Sequence, residues 1–172
     1  FTNLNNDKQE TAPRLNVATT IDVAADKLTF YDASHEVERA ILPESILPFV
    51  ERTVIMKCVA DTIAPVTGDG ITHFTIPSTL DGKNLFSAQA HVYTAGTASS
   101  ITNVQIHNTG TGYDMLSTPI TIDLNETDSS TAATPPVIGG QNDVSTGDVI
   151  RIDIDAVATD TKGLEIRMVF ST

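Results

Sequence analysis

Alternation of apolar and polar residues is strongest near the end of the chain. From Val149 to Ala156 every second residue is apolar or small, and the same alternation returns from Gly163 to Phe170. A period of two places the apolar residues on one face of a β-strand and the polar residues on the other. A polar loop joins the two runs, so we predict an antiparallel pair of strands that lines a sandwich core.

Shorter stretches between residues 53 and 138 repeat this pattern, and glycine-rich turns separate them. No helical period is long enough to compete, and about eight strands without helices are typical of a β-sandwich, most simply a jelly roll. We expect the segment Glu126–Asn142 to be a long surface connection. The additional strands are predicted at Thr53–Ala60, Ile71–Ile76, Asn84–Thr94, Ile101–Asn108, Pro119–Leu124 and Val137–Ile138.

The first 52 residues have a different character. Residues 1–21 are polar without periodicity and predict an extended arm. Within residues 22–52, strands at Lys27–Tyr31 and Glu36–Ile41 predict a hairpin, and a short helix is expected after Pro43. A two-stranded hairpin is marginal alone, so it should pack on the main domain or on copies of itself. The expected fold is therefore all-β: arm, hairpin with short helix, and an antiparallel β-sandwich (jelly roll) over residues 53–172.

The amino-acid composition argues against some classes of binding partner. The net charge is −12, from 22 acidic and 10 basic residues. Such a surface repels nucleic-acid phosphates and anionic lipid headgroups, which argues against nucleic-acid and membrane partners. The single cysteine, Cys58, excludes a disulfide within these residues. Its apolar neighbours predict a buried, unreactive thiol.

Two carboxylates on one strand face are a candidate metal site. Asp153 and Asp155 are two residues apart and could share a calcium ion, which prefers oxygen ligands. The alternative is that both are solvated outward positions, neutralised by Arg151 and by Arg167 across the strand pair. Further acids that would complete a calcium site are Asp143 and Asp148. No other cofactor is expected.

No catalytic constellation is visible. The chain has no GxSxG turn, its four histidines are scattered, and no tryptophan walls a pair of carboxylates, so we predict a protein without enzymatic activity. His91 and His107 fall on the polar faces of their strands, with Tyr93 and Gln105 nearby in the pattern. These four side chains form a shallow sugar- or protein-contacting surface or are simply solvated. Metal binding by the histidine pair is a further alternative.

Two segments resemble virion proteins of tailed bacteriophages. Asp26–Leu47, reading DKLTFYDASHEVERAILPESIL, resembles short units of phage fibre proteins in which a strand, an acidic turn and a short helix join three chains. The run from Gly68 to Phe170, including GDGITHFTIPSTLDGKNL and VSTGDVIRIDIDAVATDTKGLEIRMVF, is similar to a β-sandwich domain of phage structural and tail-fibre proteins. The resemblance implies a non-enzymatic virion protein and carries no catalytic residues over.

Together, the resemblance and the unpartnered hairpin predict a homotrimer. Three copies would bury apolar side chains of the hairpin around a threefold axis, each contributing about 1.5–3 kcal/mol. Residues 1–52 would attach to other virion proteins on the particle surface, in tail or head, and residues 53–172 would contact a host-surface glycan or protein. The alternatives are a capsid decoration or cement protein and a monomeric carbohydrate-binding module. The predicted trimer contacts are Leu28, Phe30, Tyr31, Ile41, Ile46 and Leu47.

Overall fold

A computed structural model of the chain describes residues 28–32, 37–41 and 51–172. The chain divides into two compact units, Phe1–Leu47 and Pro48–Thr172, and each is described by itself. In the first unit, β1 (Leu28–Asp32) and β2 (Val37–Ile41) pair antiparallel. This confirms the predicted hairpin to within one residue at each strand end. The arm, the helix expected after Pro43, positions Ile46 and Leu47, and the side chains of Leu28, Phe30, Tyr31 and Ile41 lie outside this description.

The second unit consists of strands joined by turns. Two short 3-10 turns, Ser78–Leu80 and Ser129–Thr131, interrupt the connections. Within the described ranges, no helix has the length and apolar character needed to cross a bilayer. The strands are β3 (Arg52–Val59), β4 (Gly68–Thr75), β5 (Lys83–His91), β6 (Thr102–Asn108), β7 (Tyr113–Asp114), β8 (Leu116–Thr118), β9 (Ile120–Ile122), β10 (Val137–Ile138), β11 (Asp143–Val144), β12 (Val149–Ala156) and β13 (Leu164–Ser171).

These strands form an antiparallel sandwich. One sheet has four strands in the order β11-β5-β13-β3, and the other has five, β4-β12-β6-β7 with β9 beside β6, while β8 and β10 form a separate pair. The pairings β3–β13, β4–β12, β5–β11 and β6–β7 nest inside one another along the chain. A long hairpin ribbon rolled into two sheets gives this nesting, which is the jelly-roll arrangement. The expected all-β sandwich is confirmed.

One pairing prediction is wrong. β12 pairs with β4 and β6, whereas β13 pairs with β3 and β5, so the two most regular strands belong to different sheets. The two strands face each other across the core, and each directs its apolar residues toward it. A strand that faces another and a strand that pairs with another show the same alternation, so the pattern could not tell the two arrangements apart. Arg167 is therefore not a cross-strand partner of Asp153 or Asp155.

The core lies between the sheets. β12 contributes Ile150, Ile152 and Ile154, all at most 1% exposed. β13 contributes every second side chain, and these are fully buried: Leu164, Ile166, Met168 and Phe170. Burying each large apolar side chain contributes about 1.5–3 kcal/mol, so these facing sets hold the sheets together. The partly buried Cys58 side chain packs against this cluster from β3.

The connection Glu126–Asn142 is more than a surface loop. Ser129 and Ala132 are buried, and the Ser129 hydroxyl accepts a hydrogen bond from the Ala90 N–H at 2.9 Å. The Val92 N–H donates to the Thr127 carbonyl at 2.8 Å. The segment is therefore fixed along the part of β5 that lies beyond its two-residue pairing with β11, and it forms one wall of a groove there.

Candidate functional site

A groove runs between β5 and the segment Glu126–Asn142, on the outer side of the four-stranded sheet. It consists of two depressions of about 190 and 280 Å³ that share Gln89. We call it the β5 groove. The first depression is lined by Ile55, Gln89, Ala90, His91, Asp128, Glu165 and Arg167, and the second by Phe86, Ser87, Ala88, Gln89, Ser129, Ser130, Pro135, Pro136 and Ile138.

The pairing register of β5 and β13 determines which polar side chains lie together in the groove. On β13, Glu165 lies opposite His91 and Arg167 lies opposite Gln89. The Arg167 guanidinium donates a hydrogen bond to the Gln89 side-chain oxygen. His91 Nδ1 is 3.6 Å from the Asp128 carboxylate on the opposite wall. Donors and acceptors therefore alternate across the floor of the first depression.

Asp128 is fixed in its ionised form. Its carboxylate accepts the Ser130 N–H at 2.8 Å at the start of the 3-10 turn. Hydrogen bonding by the Ser130 side chain is the largest cause that lowers the pKa of Asp128, with smaller contributions from the Ser130 N–H, His91 and Arg167. The groove thus carries two carboxylates, Asp128 and Glu165, beside one guanidinium.

A β-bulge places an aromatic ring beside the second depression. The register between β5 and β13 shifts where Ser87 pairs with Val169 and Leu85 pairs with Phe170. Phe86 is the extra residue of this bulge, and its side chain is 63% exposed. Bulges commonly redirect a side chain in this way. The ring lies next to the wall formed by Pro135 and Pro136.

The five-stranded sheet carries a different polar array on its outer face. His73, Arg151, His107 and Asp114 occupy one row across β4, β12, β6 and β7. Arg151 clamps Asp153, with Nε 2.8 Å from one carboxylate oxygen and Nη2 2.8 Å from the other.

A bulge in β4 completes the burial of Asp153. The Gly70 N–H donates to its carboxylate at 2.7 Å, at the point where the β4 register shifts. Asp153 is only 5% exposed, so the expectation of a solvated outward carboxylate is wrong at this position. Arg151 and the Gly70 amide replace the water that Asp153 loses, and the pair is a structural clamp.

The calcium candidate does not gather a set of ligands. Asp143 lies on β11 in the other sheet, and Asp148 accepts a hydrogen bond from the Asn108 amide at 2.9 Å. Asp155 is exposed on the strand beyond Asp153. Among the residues that the structure describes, no group of three or more acidic, histidine or cysteine side chains could hold a metal ion.

The four predicted surface residues do not come together. His91 and Tyr93 lie on the side of the four-stranded sheet, whereas Gln105 and His107 lie on β6 of the other sheet. His91 lines the β5 groove, and Tyr93 is 65% exposed beyond the end of β5. A single shared surface formed by all four is therefore wrong.

The two β6 residues have local roles. Gln105 is 8% exposed, and its amide donates to the Leu116 carbonyl at 3.0 Å while its oxygen accepts the Ile106 N–H at 2.8 Å. His107 Nδ1 is 2.8 Å from the Asp114 carboxylate on β7. Gln105 fails as a contact residue because the short strands after β6 cover it.

Most residues of the β5 groove cannot be predicted from the sequence. Gln89, Asp128 and Arg167 come from three separate segments, and local alternation cannot bring them together. One signal exists: the inward residues of β5 are spaced by three between Leu85 and Ala88 and by two afterwards. That break in the period indicates a bulge and marks Phe86.

The groove can therefore donate and accept hydrogen bonds at its centre and stack an apolar surface against Phe86. Comparison of the chain with protein-family models, with curated proteins and with solved structures gives no significant match.

Proposed function

We propose that the chain is a non-enzymatic virion protein of a tailed bacteriophage: a homotrimeric fibre or knob that adheres to the host surface through the β5 groove. The observation that carries the proposal is the combination of a separate hairpin unit with a sandwich that presents one polar groove edged by exposed apolar side chains. The hairpin would hold the copies together, and the sandwich would make the contact.

The hairpin supports the first half of this proposal. In its register Leu28 lies opposite Ile41, so two of the predicted trimer positions are neighbours across the strands. A hairpin of two five-residue strands has little surface to bury alone, and a closed symmetric assembly would provide it. Residues 1–52 would also attach the protein to other virion proteins.

The groove supports the second half. Small binding sites combine an apolar lining with a few convergent polar groups, and the β5 groove does so with Phe86 beside Gln89 and Arg167. Individual depressions of 190 and 280 Å³ are small, so each contact would be weak. Three copies on one particle would raise the overall affinity by avidity, by about 10²–10⁴-fold.

A monomeric carbohydrate-binding module is the second candidate, and the exposed ring of Phe86 favours it. It needs the same groove but no trimer. A capsid decoration or cement protein is the third candidate, and it needs a trimer but no groove. Oligomeric state and groove function therefore separate the three candidates.

The test compares the full chain with a protein that begins at Pro48, the first residue of the sandwich unit, so that β3 stays intact. Both are labelled and incubated with a panel of bacterial strains. We expect the full chain to be retained on a susceptible strain and the shortened chain to be lost on washing. Phe86→Ala in the full chain should abolish retention.

Tyr113→Ala is the matched control, because this exposed aromatic residue lies on β7 of the other sheet. Equal retention of the full and shortened chains would contradict the trimeric role of the hairpin. Retention that survives Phe86→Ala would remove the groove from the contact. No retention on any strain would favour the decoration role.

A further inference from the structure

The β5 groove also indicates the chemistry of its ligand. We propose that it binds an uncharged saccharide, with one sugar ring against Phe86 and the next unit over Gln89 and Arg167. This inference rests on the proposed binding role of the same groove and names its ligand class.

The polar floor matches the hydroxyl groups of a sugar. Vicinal hydroxyls both donate and accept hydrogen bonds, and a planar side chain with two polar atoms can pair with two neighbouring hydroxyls at once. Gln89, Glu165 and Arg167 are three such groups on adjacent strands, held in register by the β5–β13 pairing. They are supported by regular β-structure and are therefore preorganised for binding.

The apolar end matches the opposite property of a sugar ring. A pyranose has an apolar face of C–H groups, which packs on an aromatic or proline surface. Phe86 is 63% exposed and lines the second depression. Pro135 and Pro136 line the same depression. The bulge keeps this ring outward although the residues beside it continue the strand.

Size limits the ligand to small units. The depressions hold about 190 and 280 Å³. Pockets for drug-sized ligands occupy about 300–1,000 Å³. Each depression therefore suits one ring-sized unit, and their shared residue, Gln89, joins them into a site for two consecutive units.

Charge excludes an acidic ligand. The groove places two carboxylates, Asp128 and Glu165, beside the single guanidinium of Arg167. The whole chain has a net charge of −12. A sialylated, uronate-containing or phosphorylated glycan would be repelled by the carboxylates of the groove and by the net negative charge of the whole chain. An uncharged saccharide carries no such cost.

A peptide strand does not fit the same place. The Leu85 N–H already donates to the Asn142 carbonyl at 2.7 Å, and the Ala90 N–H donates to Ser129 at 2.9 Å. Within the described part of the chain, these bonds leave at most the short stretch between Leu85 and Ala90 for a peptide strand on this side of β5. Addition of a peptide strand needs a longer free edge.

The test applies the labelled full chain to an array of uncharged hexose and N-acetylhexosamine oligosaccharides, printed beside sialylated and uronate-containing ones. We expect binding to a subset of the uncharged glycans alone. Gln89→Ala and Phe86→Ala should each weaken that binding by about tenfold or more, which corresponds to roughly one lost hydrogen bond or ring contact. Tyr113→Ala and His73→Ala, both on the other sheet, should change it less than about twofold.

Binding to none of the uncharged glycans at millimolar concentration would overturn the inference, as would binding confined to acidic glycans. Equal losses in the Phe86 and Tyr113 variants would place the ligand elsewhere and also overturn it. The outcome is separable from that of the proposed function. A monomer that binds uncharged glycans keeps this inference and refutes the fibre, whereas a trimer that adheres to cells without binding glycans does the reverse.

Discussion

Asp153 and Asp155, two residues apart on β12, show how neighbouring carboxylates acquire opposite roles. Asp153 is buried and satisfied by Arg151 and the Gly70 N–H. Among the described residues, Asp155 has no hydrogen-bond or ion-pair partner of this kind. Asp155 as a whole is exposed, but its carboxyl group loses part of its water, and this loss is the largest cause that raises its pKa above the ordinary value of 3.8; repulsion from Asp153, Asp114 and Asp69 adds to it. Ionising Asp155 therefore costs stability, whereas ionised Asp153 is part of the clamp.

We predict that Asp155→Asn makes the chain more stable than wild type at pH 7. The folded state holds the Asp155 proton more tightly, so wild-type stability falls as pH rises through 3.8 and up to the raised pKa. The advantage of the variant should vanish below pH 3.8, where both states of the wild type are protonated. Urea unfolding at several pH values measures this difference.

Asp153→Asn is the matched control on the same strand and should have the opposite effect. It should destabilise the chain by about 1–3 kcal/mol at pH 7, because an amide leaves part of the Arg151 and Gly70 hydrogen bonds unsatisfied. Equal stabilities of the Asp155 variant and the wild type at pH 7 would contradict the account of Asp155.

We also predict that Cys58 is unreactive in the folded chain. Burial is the largest cause that raises the pKa of its thiol, to about 12. The thiolate is the reactive form, so at pH 8 only about one thiol in 10⁴ is poised to react. A disulfide reagent such as DTNB should label the protein at least about a hundredfold faster in denaturant than in buffer. Similar rates in both conditions would show that β3 opens readily.

Two connections between the sheets pack closely against each other. Gly96, between β5 and β6, touches the β12–β13 connection at Ala158 and Thr161. A Cβ at this glycine would lie 2.2 Å from the Ala158 Cβ. The two connections run side by side in opposite directions here, bridged at Thr94–Lys162 and Ala98–Thr159, and a side chain at Gly96 would have no room between them.

Gly96→Ala should therefore destabilise the sandwich by about 1–3 kcal/mol through overpacking. Gly140→Ala is the control, since no atom of the described ranges lies within 4 Å of the position that its Cβ would occupy. That variant should stay within about 0.5 kcal/mol of wild type. Thermal unfolding measures the stability of both variants, and equal stabilities would contradict the close packing at Gly96.

The elements also show what the sequence could predict. Alternation located β12 without error and β13 to within one residue, because each is long and buries one face. It could not assign their pairing, since facing strands and paired strands have the same period. Strands of two or three residues carry too little alternation for a firm prediction: β10 was predicted and β8 was not, and β7 and β11 also escaped prediction. These two short strands nevertheless complete the nested pairing.

The candidate site was harder to predict for the same reason. His91 was identified correctly as an outward-facing residue, and it does line the groove. Gln105 has the same alternation but is buried, because later segments cover β6. Burial by distant segments, like the meeting of Gln89, Asp128 and Arg167, depends on sheet topology, which alternation alone does not specify.

At the scale of the whole molecule, the proposal depends on self-association. The sandwich has its own core, whereas the hairpin unit is the part that would gain most from copies of itself. A net charge of −12 opposes association between chains through long-range repulsion. A trimer would therefore need specific apolar contacts, and the predicted ones lie in residues 28–47.

The most direct test is the solution mass of the full chain, measured by light scattering at micromolar concentration in physiological salt. We predict a mass about three times that of the 18.3 kDa chain, and loss of that assembly when the chain begins at Pro48. A mass of 18.3 kDa for the full chain would contradict the trimeric virion protein and favour a monomeric binding module.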